Sequence, residues 1–428
     1  MLHRLSLRVL TLVILWMGLG VLKLDDMTES GFFLQGAVFS FLILAGALFE
    51  IFFCYQGDPY LLPVVQTILA IGLVFLARIN PALAADQFIW ANLGLIIYYA
   101  VFFILRDYRK LGEYQYLWGM LALLMLLLTL IFGTTINGAT SWFRFAGMGF
   151  QPEELVKVAL LLFLASYLSD NKELLRFGTI QVGKFSLPDA KTMGPFVFIG
   201  VFVLGLLGAQ KSLGTALVFF LLMVFILYVA TERLLYLVVS VPLVMATGAA
   251  GYFLFDHVRV RVATWINPWL DASGGAYQIS QSIFAISGGR LLGTGLGNGI
   301  GAYQIPNADT DFIFSVIAEE IGFIGAMAII SLFIIVVMRC FCVSTRAVDR
   351  FGQILAAGIG ILIGVEALII LAGVTKMLPL TGLPLPWMSY GGSSMVGHFL
   401  LLGILAGISH SSAFSVSQIP IGKQADAL

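Results

Sequence analysis

Charge is scarce in this 428-residue chain: only 11% of its residues are Asp, Glu, Lys or Arg, against about 25% in a soluble domain. The 23 basic and 23 acidic residues cancel. No Lys/Arg-rich run and no basic–aromatic stripe occurs, which argues against nucleic acid as a partner. Cysteine is nearly absent. Cys54, Cys340 and Cys342 are odd in number, and the last two stand only two positions apart, so they supply no disulfide framework and read as small apolar filler. The four histidines, His3, His257, His398 and His410, show neither HxxxH nor HExxH spacing, and no metal site is expected from them. Tandem repeats, low-complexity tracts and a soluble domain are also missing.

Apolar residues make up 60% of the chain. One soluble core could not hide that much apolar surface; lipid removes the need. Stretches of about 18 or more apolar residues suit a spanning helix. Candidates lie near 5–24, 32–54, 60–79, 87–105, 116–136, 153–169, 192–209, 212–231, 234–255, 313–338, 351–375 and 391–410. The fold class is therefore an all-α integral membrane protein, a polytopic bundle of about 12 transmembrane helices with one long extracytoplasmic loop. Before the first span, His3, Arg4 and Arg8 precede an apolar run to Leu24 without a small-x-small cleavage site, which reads as a retained signal anchor.

Lys/Arg bias sets the orientation. With the amino terminus inside, the inside segments hold Arg4 and Arg8; Arg106, Arg109 and Lys110; Lys172, Arg176, Lys184 and Lys191; Arg233; Arg339, Arg346 and Arg350; and Lys423. Both termini are expected in the cytoplasm. Segment 256–312 then lies outside, with Arg259, Arg261, Asp271, Arg290, Asp309 and Asp311. Loops beyond about 15 residues are uncommon unless functional. Segment 137–152, which carries Arg144 and leads to Lys157, lies on the same side.

Five stretches carry possible chemistry. In Gly138-Ala139-Thr140-Ser141-Trp142-Phe143-Arg144 and Phe150-Gln151-Pro152-Glu153-Glu154-Leu155-Val156-Lys157, Pro152 suits a first helical turn and the two Glu complement its positive end. Lys157 can face either carboxylate. The spacing fits a capped helix with an internal ion pair, and equally a cationic head-group site with Arg144 and Lys157 on phosphate. Gln210-Lys211-Ser212-Leu213-Gly214-Thr215 is by itself a polar helix entrance. The long loop, with Tyr277-Gln278 and Gly288-Gly289-Arg290-Leu291-Leu292-Gly293-Thr294-Gly295-Leu296-Gly297, has the glycine density that lets backbone amides approach a ligand, or it is a flexible connector.

In Asp309-Thr310-Asp311-Phe312 to Glu319-Glu320, a continuous helix would place Ser315 about 40° and Glu319 about 80° from Asp311, with Glu320 on the opposite face. Carboxylates sharing a face inside a membrane read as functional, and one of them acquires the raised pKa that suits a general base. A structural cap is the alternative. In Lys376 to Ser394, prolines and glycines rule out a spanning helix, leaving a cavity lining or a surface turn.

The ordered set of motifs resembles the SEDS family, the FtsW/RodA/SpoVE group of bacterial cell-wall proteins. The resemblance rests on Gly138-Ala139, Trp142 and Arg144; Gln151-Pro152, Glu154-Leu155 and Lys157; Gln210 and Leu213-Gly214-Thr215; Tyr277-Gln278 and Gln281-Ser282; Thr310-Asp311-Phe312-Ile313-Phe314; Glu319-Glu320 and Gly322; and Pro384-Leu385-Pro386 with Ser389-Tyr390-Gly391-Gly392-Ser393. It covers roughly residues 60–410.

The resemblance implies a peptidoglycan glycosyltransferase polymerising lipid II on the outer face of the bacterial cytoplasmic membrane, for division or cell-shape maintenance. Its usual partner is a class B penicillin-binding protein, which crosslinks. Asp311 carries over as the catalytic residue. Arg144, Lys157, Arg259, Arg261, Glu319, Tyr277, Gln278 and Ser389 are the expected substrate-binding set. No metal ligands are assigned; a divalent cation on the pyrophosphate is compatible with the chemistry, but no ligand cluster in the sequence demands one. A lipid II flippase and a non-catalytic scaffold are the alternatives.

Residues 1–56 are expected as two extra helices, 57–412 as the ten-helix core and 413–428 as a cytoplasmic tail. The chain departs from the family pattern at Lys211-Ser212, where Pro-Asp is usual, near Leu371, where an Asn is usual, and at Asp309, where a His is common.

Overall fold

The computed structural model describes residues 2–24, 31–105, 107–136, 138–145, 148–178, 180–182 and 185–417. Of the basic residues used to orient the chain, Arg106, Lys184 and Lys423 fall outside the described residues. The helices are α1 Leu2–Leu24, α2 Gly31–Phe52, α3 Leu61–Ile79, α4 Pro81–Ile104, α5 Gln115–Phe132, α6 Glu153–Phe177, α7 Ala190–Ala209 and α8 Leu213–Thr231. They continue with α9 Leu234–Leu254, α10 Asp256–Ile266, α11 Tyr277–Gly288, α12 Gly301–Gln304, α13 Ile313–Arg346, α14 Arg350–Val374 and α15 Gly392–Ser417.

Among the described residues, eleven helices are long and apolar enough to cross a membrane. The twelfth expected span is α6, whose charged residues set it apart from those eleven. It nonetheless runs the length of the bundle. At one end the Gln151 amide donates to Ser393 Oγ at 3.0 Å; at the other Arg176 pairs with Glu232 at 2.8 Å. In the middle it packs against α5, α8, α14 and α15, where lipid does not reach its polar groups.

Local signals start the helices where the sequence offers a cap. Asn80 Oδ1 accepts from Leu83 N at 3.3 Å with Pro81 following, and Asp349 Oδ1 accepts from Gly352 N at 2.8 Å; each satisfies an amide that a helix start leaves orphaned. The segments expected outside share one end of the bundle. Thr140 N donates to Gln210 O at 2.9 Å and Tyr390 N to Asp309 O at 2.9 Å. The opposite end joins Asp58 N to Ser409 Oγ at 2.8 Å and Tyr108 to Asp349.

Three findings refine the sequence reading. Segment 134–150 folds as a small antiparallel sheet, with β1 Thr134–Ile136, β2 Ala139–Phe145 and β3 Met148–Phe150 in the order β1-β2-β3. A second hairpin, β4 Ile180–Val182 and β5 Phe185–Leu187, lies between α6 and α7. The long outside segment is neither a connector nor a ligand-wrapping loop; it holds α10, α11 and α12.

Its glycine-rich stretch plugs a break in α13. At Gly322 the backbone turns to φ 71°, ψ −174°. Thr294 N and Gly295 N donate to Glu319 O and Glu320 O at 3.0 Å each, while Phe323 N and Ile324 N donate to Arg290 O and Leu291 O at 2.9 and 3.2 Å. The loop thus satisfies both helix ends exposed by the break, as a membrane interior demands. A Cβ on Gly322 would lie 2.3 Å from Gly293 N, so only glycine fits.

Candidate functional site

Asp311 sits in the turn before α13, which begins only at Ile313. Helical arithmetic therefore does not extend to it, and the expected shared face with Ser315 and Glu319 is not formed. Ser315 Oγ instead bonds Ser282 Oγ at 2.7 Å. Glu319 gives its two oxygens to Ile300 N at 3.1 Å and Gly301 N at 2.8 Å. Glu320 lies beside the same plug, accepting from Gly297 N at 2.9 Å and pairing with Arg78 at 3.4 Å. Both glutamates hold the plug, and the loop amides expected for a ligand are spent on them.

Asp311 faces a different environment. Gly382, at φ +73°, has its open side between Arg261 and Asp311: a Cβ there would meet Arg261 Nη2 at 3.3 Å and Asp311 Oδ2 at 3.4 Å. The proline-rich segment 376–391 is thus irregular backbone packed beside the Asp311 turn. It is fixed in place from three sides. Arg261 Nη1 donates to Thr381 O at 2.9 Å. Ser389 Oγ donates to Thr310 O at 2.5 Å and accepts from Leu385 N at 3.0 Å. Buried Gln87 donates to Ser389 O and accepts from Gly391 N, both at 3.1 Å. Ser389 therefore braces the Asp311 turn.

Burial pushes the Asp311 carboxyl up to about 6, helped by Asp309 and opposed by the Thr310 hydroxyl and Arg261. Desolvation lowers His257 from its ordinary value, and the charges of Arg261 and Lys211 lower it further. Lys211, His257 and Arg261 thus share one electrostatic neighbourhood, and of the three it is Arg261 that acts on Asp311. Lys211 was legible only as a helix entrance and His257 only as a lone histidine.

The other expected residues are placed differently. Arg259 contacts its own turn, Asp256 at 3.3 Å and the carbonyls of Tyr252 and Phe253 at 3.5 and 3.4 Å. Arg144 is exposed on β2, opposite Gly149. Tyr277 and Gln278 open α11, partly exposed, with Gln278 Nε2 3.5 Å from Pro306 O. Lys157 is buried, its Nζ 2.7 Å from Glu154 and 2.5 Å from Glu366. Of the two helix-start glutamates, Glu153 turns instead to Thr215 and Ser212 at 2.7 and 2.9 Å. Among the described residues no group of three or more His, Cys, Asp and Glu stands ready to hold a metal, and no step below is routed through one.

These features define a class: a multi-pass membrane protein with an acid and an arginine set together at one end of its helix bundle. The family model FtsW/RodA/SpoVE, described as cell cycle protein, matches residues 60–413. The chain is 36% identical over 374 residues to the peptidoglycan glycosyltransferase RodA of Mycobacterium tuberculosis strain H37Rv, covering 84% of this chain and 79% of that one. It is 37% identical over 309 residues to a probable peptidoglycan glycosyltransferase FtsW of Geobacter metallireducens, covering 71% and 79%. Among solved structures it resembles a chain from a peptidoglycan synthase complex that coordinates polymerization and crosslinking, with TM-score 0.69, 28% identity and coverage of 84% and 99%. It also resembles the rod shape determining protein RodA of Thermus thermophilus, with TM-score 0.61, 26% identity and coverage of 84% and 98%. The chain belongs to the FtsW/RodA/SpoVE family.

Proposed function

We propose that this chain is a peptidoglycan glycosyltransferase that polymerises lipid II at the outer face of the bacterial cytoplasmic membrane. An acceptor sugar hydroxyl attacks the anomeric carbon of a lipid-pyrophosphate donor, and undecaprenyl pyrophosphate leaves. Asp311 takes the hydroxyl proton. Its raised pKa of about 6 keeps it ionised near neutrality while bringing its basicity closer to the task. Arg261 leads the neutralisation of pyrophosphate as a charge-assisted donor, with Lys211 adding positive potential. Arg144, Tyr277 and Gln278 are assigned to the outer approaches of the site. Ser389, Glu319 and Lys157 act by positioning.

Residues 57–412 form the catalytic core in this reading. The two preceding helices in 1–56 seat on it through Arg8, which pairs with Glu50 at 2.5 Å, and Thr11, 2.9 Å from Thr67. Residues 413–428 are assigned to the cytoplasmic tail, of which 413–417 continue α15 and 418–428 lie outside the described residues. A class B penicillin-binding protein is the assigned partner, supplying the crosslinking that a polymerase lacks.

The observation that carries the reading is that Asp311 and Arg261 meet at Gly382. A flippase would use the cations but needs no base. Purified protein, alone and with its partner, given lipid II in vesicles, should make glycan strands. Transbilayer movement of lipid II with no polymer would replace this reading by transport.

A further inference from the structure

Four ionisable side chains lie buried together between α6, α14 and α15. Lys157 bridges Glu154 and Glu366. The other oxygen of Glu366 lies 2.7 Å from His398 Nε2. Across the ring, Nδ1 lies 2.8 Å from the carbonyl oxygen of Ser394, with the Ser394 hydroxyl at 3.2 Å. A carbonyl oxygen only accepts, so Nδ1 carries a proton. Nε2 faces a carboxylate already receiving a hydrogen bond from Lys157 at 2.5 Å, so Nε2 donates as well. Both ring nitrogens face acceptors in this arrangement. The Trp387 ring lies 5.2 Å away and steeply tilted.

Charge balance gives the same answer. Lys157 and Glu154 alone make a neutral pair. Glu366, 4% exposed, adds a second carboxylate, and an uncompensated buried charge is strongly destabilising. His398, 2% exposed, is the group in position to offset it. Glu153, next in sequence, takes its hydrogen bonds from the Ser212 and Thr215 hydroxyls, while still feeling the charges of Glu154 and Lys157.

We propose that His398 donates from both ring nitrogens in the folded protein and is a positioning residue for glycan polymerisation. It offsets Glu366 and so holds Lys157 and the proline-rich segment in register below Asp311. A small cavity lined by Glu154, Lys157, Thr215, Val218, Glu366, Leu383 and Pro384 marks where the cluster meets that segment. Gly382, the residue between Arg261 and Asp311, immediately precedes Leu383. The positioning role rests on the glycosyltransferase reading; the donor assignment does not.

Two experiments separate these parts. In the full chain in lipid nanodiscs, ¹⁵N imidazole NMR, with His398→Gln assigning the signal, should show both ring nitrogens protonated at neutral pH. An unprotonated ring nitrogen overturns the donor assignment, whatever the protein catalyses. For positioning, Glu366→Gln and His398→Gln should each lower polymerisation of lipid II about tenfold or more by leaving one buried charge unbalanced. The double variant, with Lys157 and Glu154 again matched, should recover to within about threefold of wild type, a coupling that simple loss of packing does not produce. A double variant no better than His398→Gln alone overturns the positioning role. Should the single variants fold poorly, the same test is read in thermal unfolding, where the double must melt above both.

Discussion

Two acidic regions lie a few residues apart at the start of α13, and they behave differently. Glu319 and Glu320 have backbone amides and Arg78 around them, and together with the helix break at Gly322 they form a closed structural joint. Asp311 lies beside Gly382, with Arg261 across from it. A carboxylate in apolar surroundings is costly unless paired and hydrogen-bonded. The first region meets most of that cost with local partners, one Glu320 oxygen remaining without a hydrogen bond. The second is the one we assign to the substrate. The acid assigned to catalysis is distinguished by its neighbours, Arg261 and the backbone at Gly382, not by being buried.

The comparison can be broken from either side. The largest change is expected for Arg78→Ala, which leaves Glu320 buried without its cation and removes donors to Gly297 O at 2.8 Å and Gly299 O at 3.1 Å. Removing one partner of a buried pair costs about 3–5 kcal/mol, so folded yield in detergent and melting temperature should both fall. A normal melting temperature would show that the joint does not depend on Arg78.

Arg261→Ala acts on the second region and removes a charge-assisted contact. That costs roughly 1.5–3 kcal/mol, or about 10- to 150-fold in lipid II affinity, with folding retained. Unchanged binding in a lipid II titration would remove Arg261 from the head-group site. For the acid itself, polymerisation should rise with pH through about 6, the raised value of Asp311, and level off above it. The sign follows because the base form exists only above that pKa; below it the rate should fall about tenfold per pH unit. A profile flat between pH 5 and 7, taken as about one unit either side, would separate Asp311 from the rate. The smallest effect is expected for Arg259→Ala, whose half-exposed pairing with Asp256 is of a kind worth about 0–1 kcal/mol. Binding loss as large as that of Arg261→Ala would mean that both arginines face the substrate.

The sequence made the spans legible because membrane burial writes itself as long apolar runs. Even α6 was legible, since its apolar stretch follows the Glu153-Glu154 turn. Asp311 and Arg261 stood out as charges beside the membrane in an outside segment. Three things were hidden. The break at Gly322 lies within an apolar run whose composition continues unbroken, so a continuous helix was assumed and Glu319 was placed beside Asp311. The glycine-rich stretch had the composition of a ligand loop, and only its partners show it to be a plug. The cluster around Lys157 was half visible: Glu154 is three residues away, but Glu366 lies 209 residues along the chain, and His398 belongs to yet another helix. Local spacing cannot report such contacts.

The contrast between the two regions is tested most directly by polymerisation rate per folded molecule, measured side by side for Asp311→Asn and Glu320→Gln with purified protein and lipid II. Asp311→Asn keeps shape and polarity but cannot take a proton, so it should remain folded, bind lipid II and lose about 10²–10⁴ in rate. Glu320→Gln should lose folded protein while each folded molecule keeps a rate within about threefold of wild type, since its cost falls on the native state as a whole. Wild-type turnover by folded Asp311→Asn, or turnover lost per folded molecule in Glu320→Gln alone, would contradict the account.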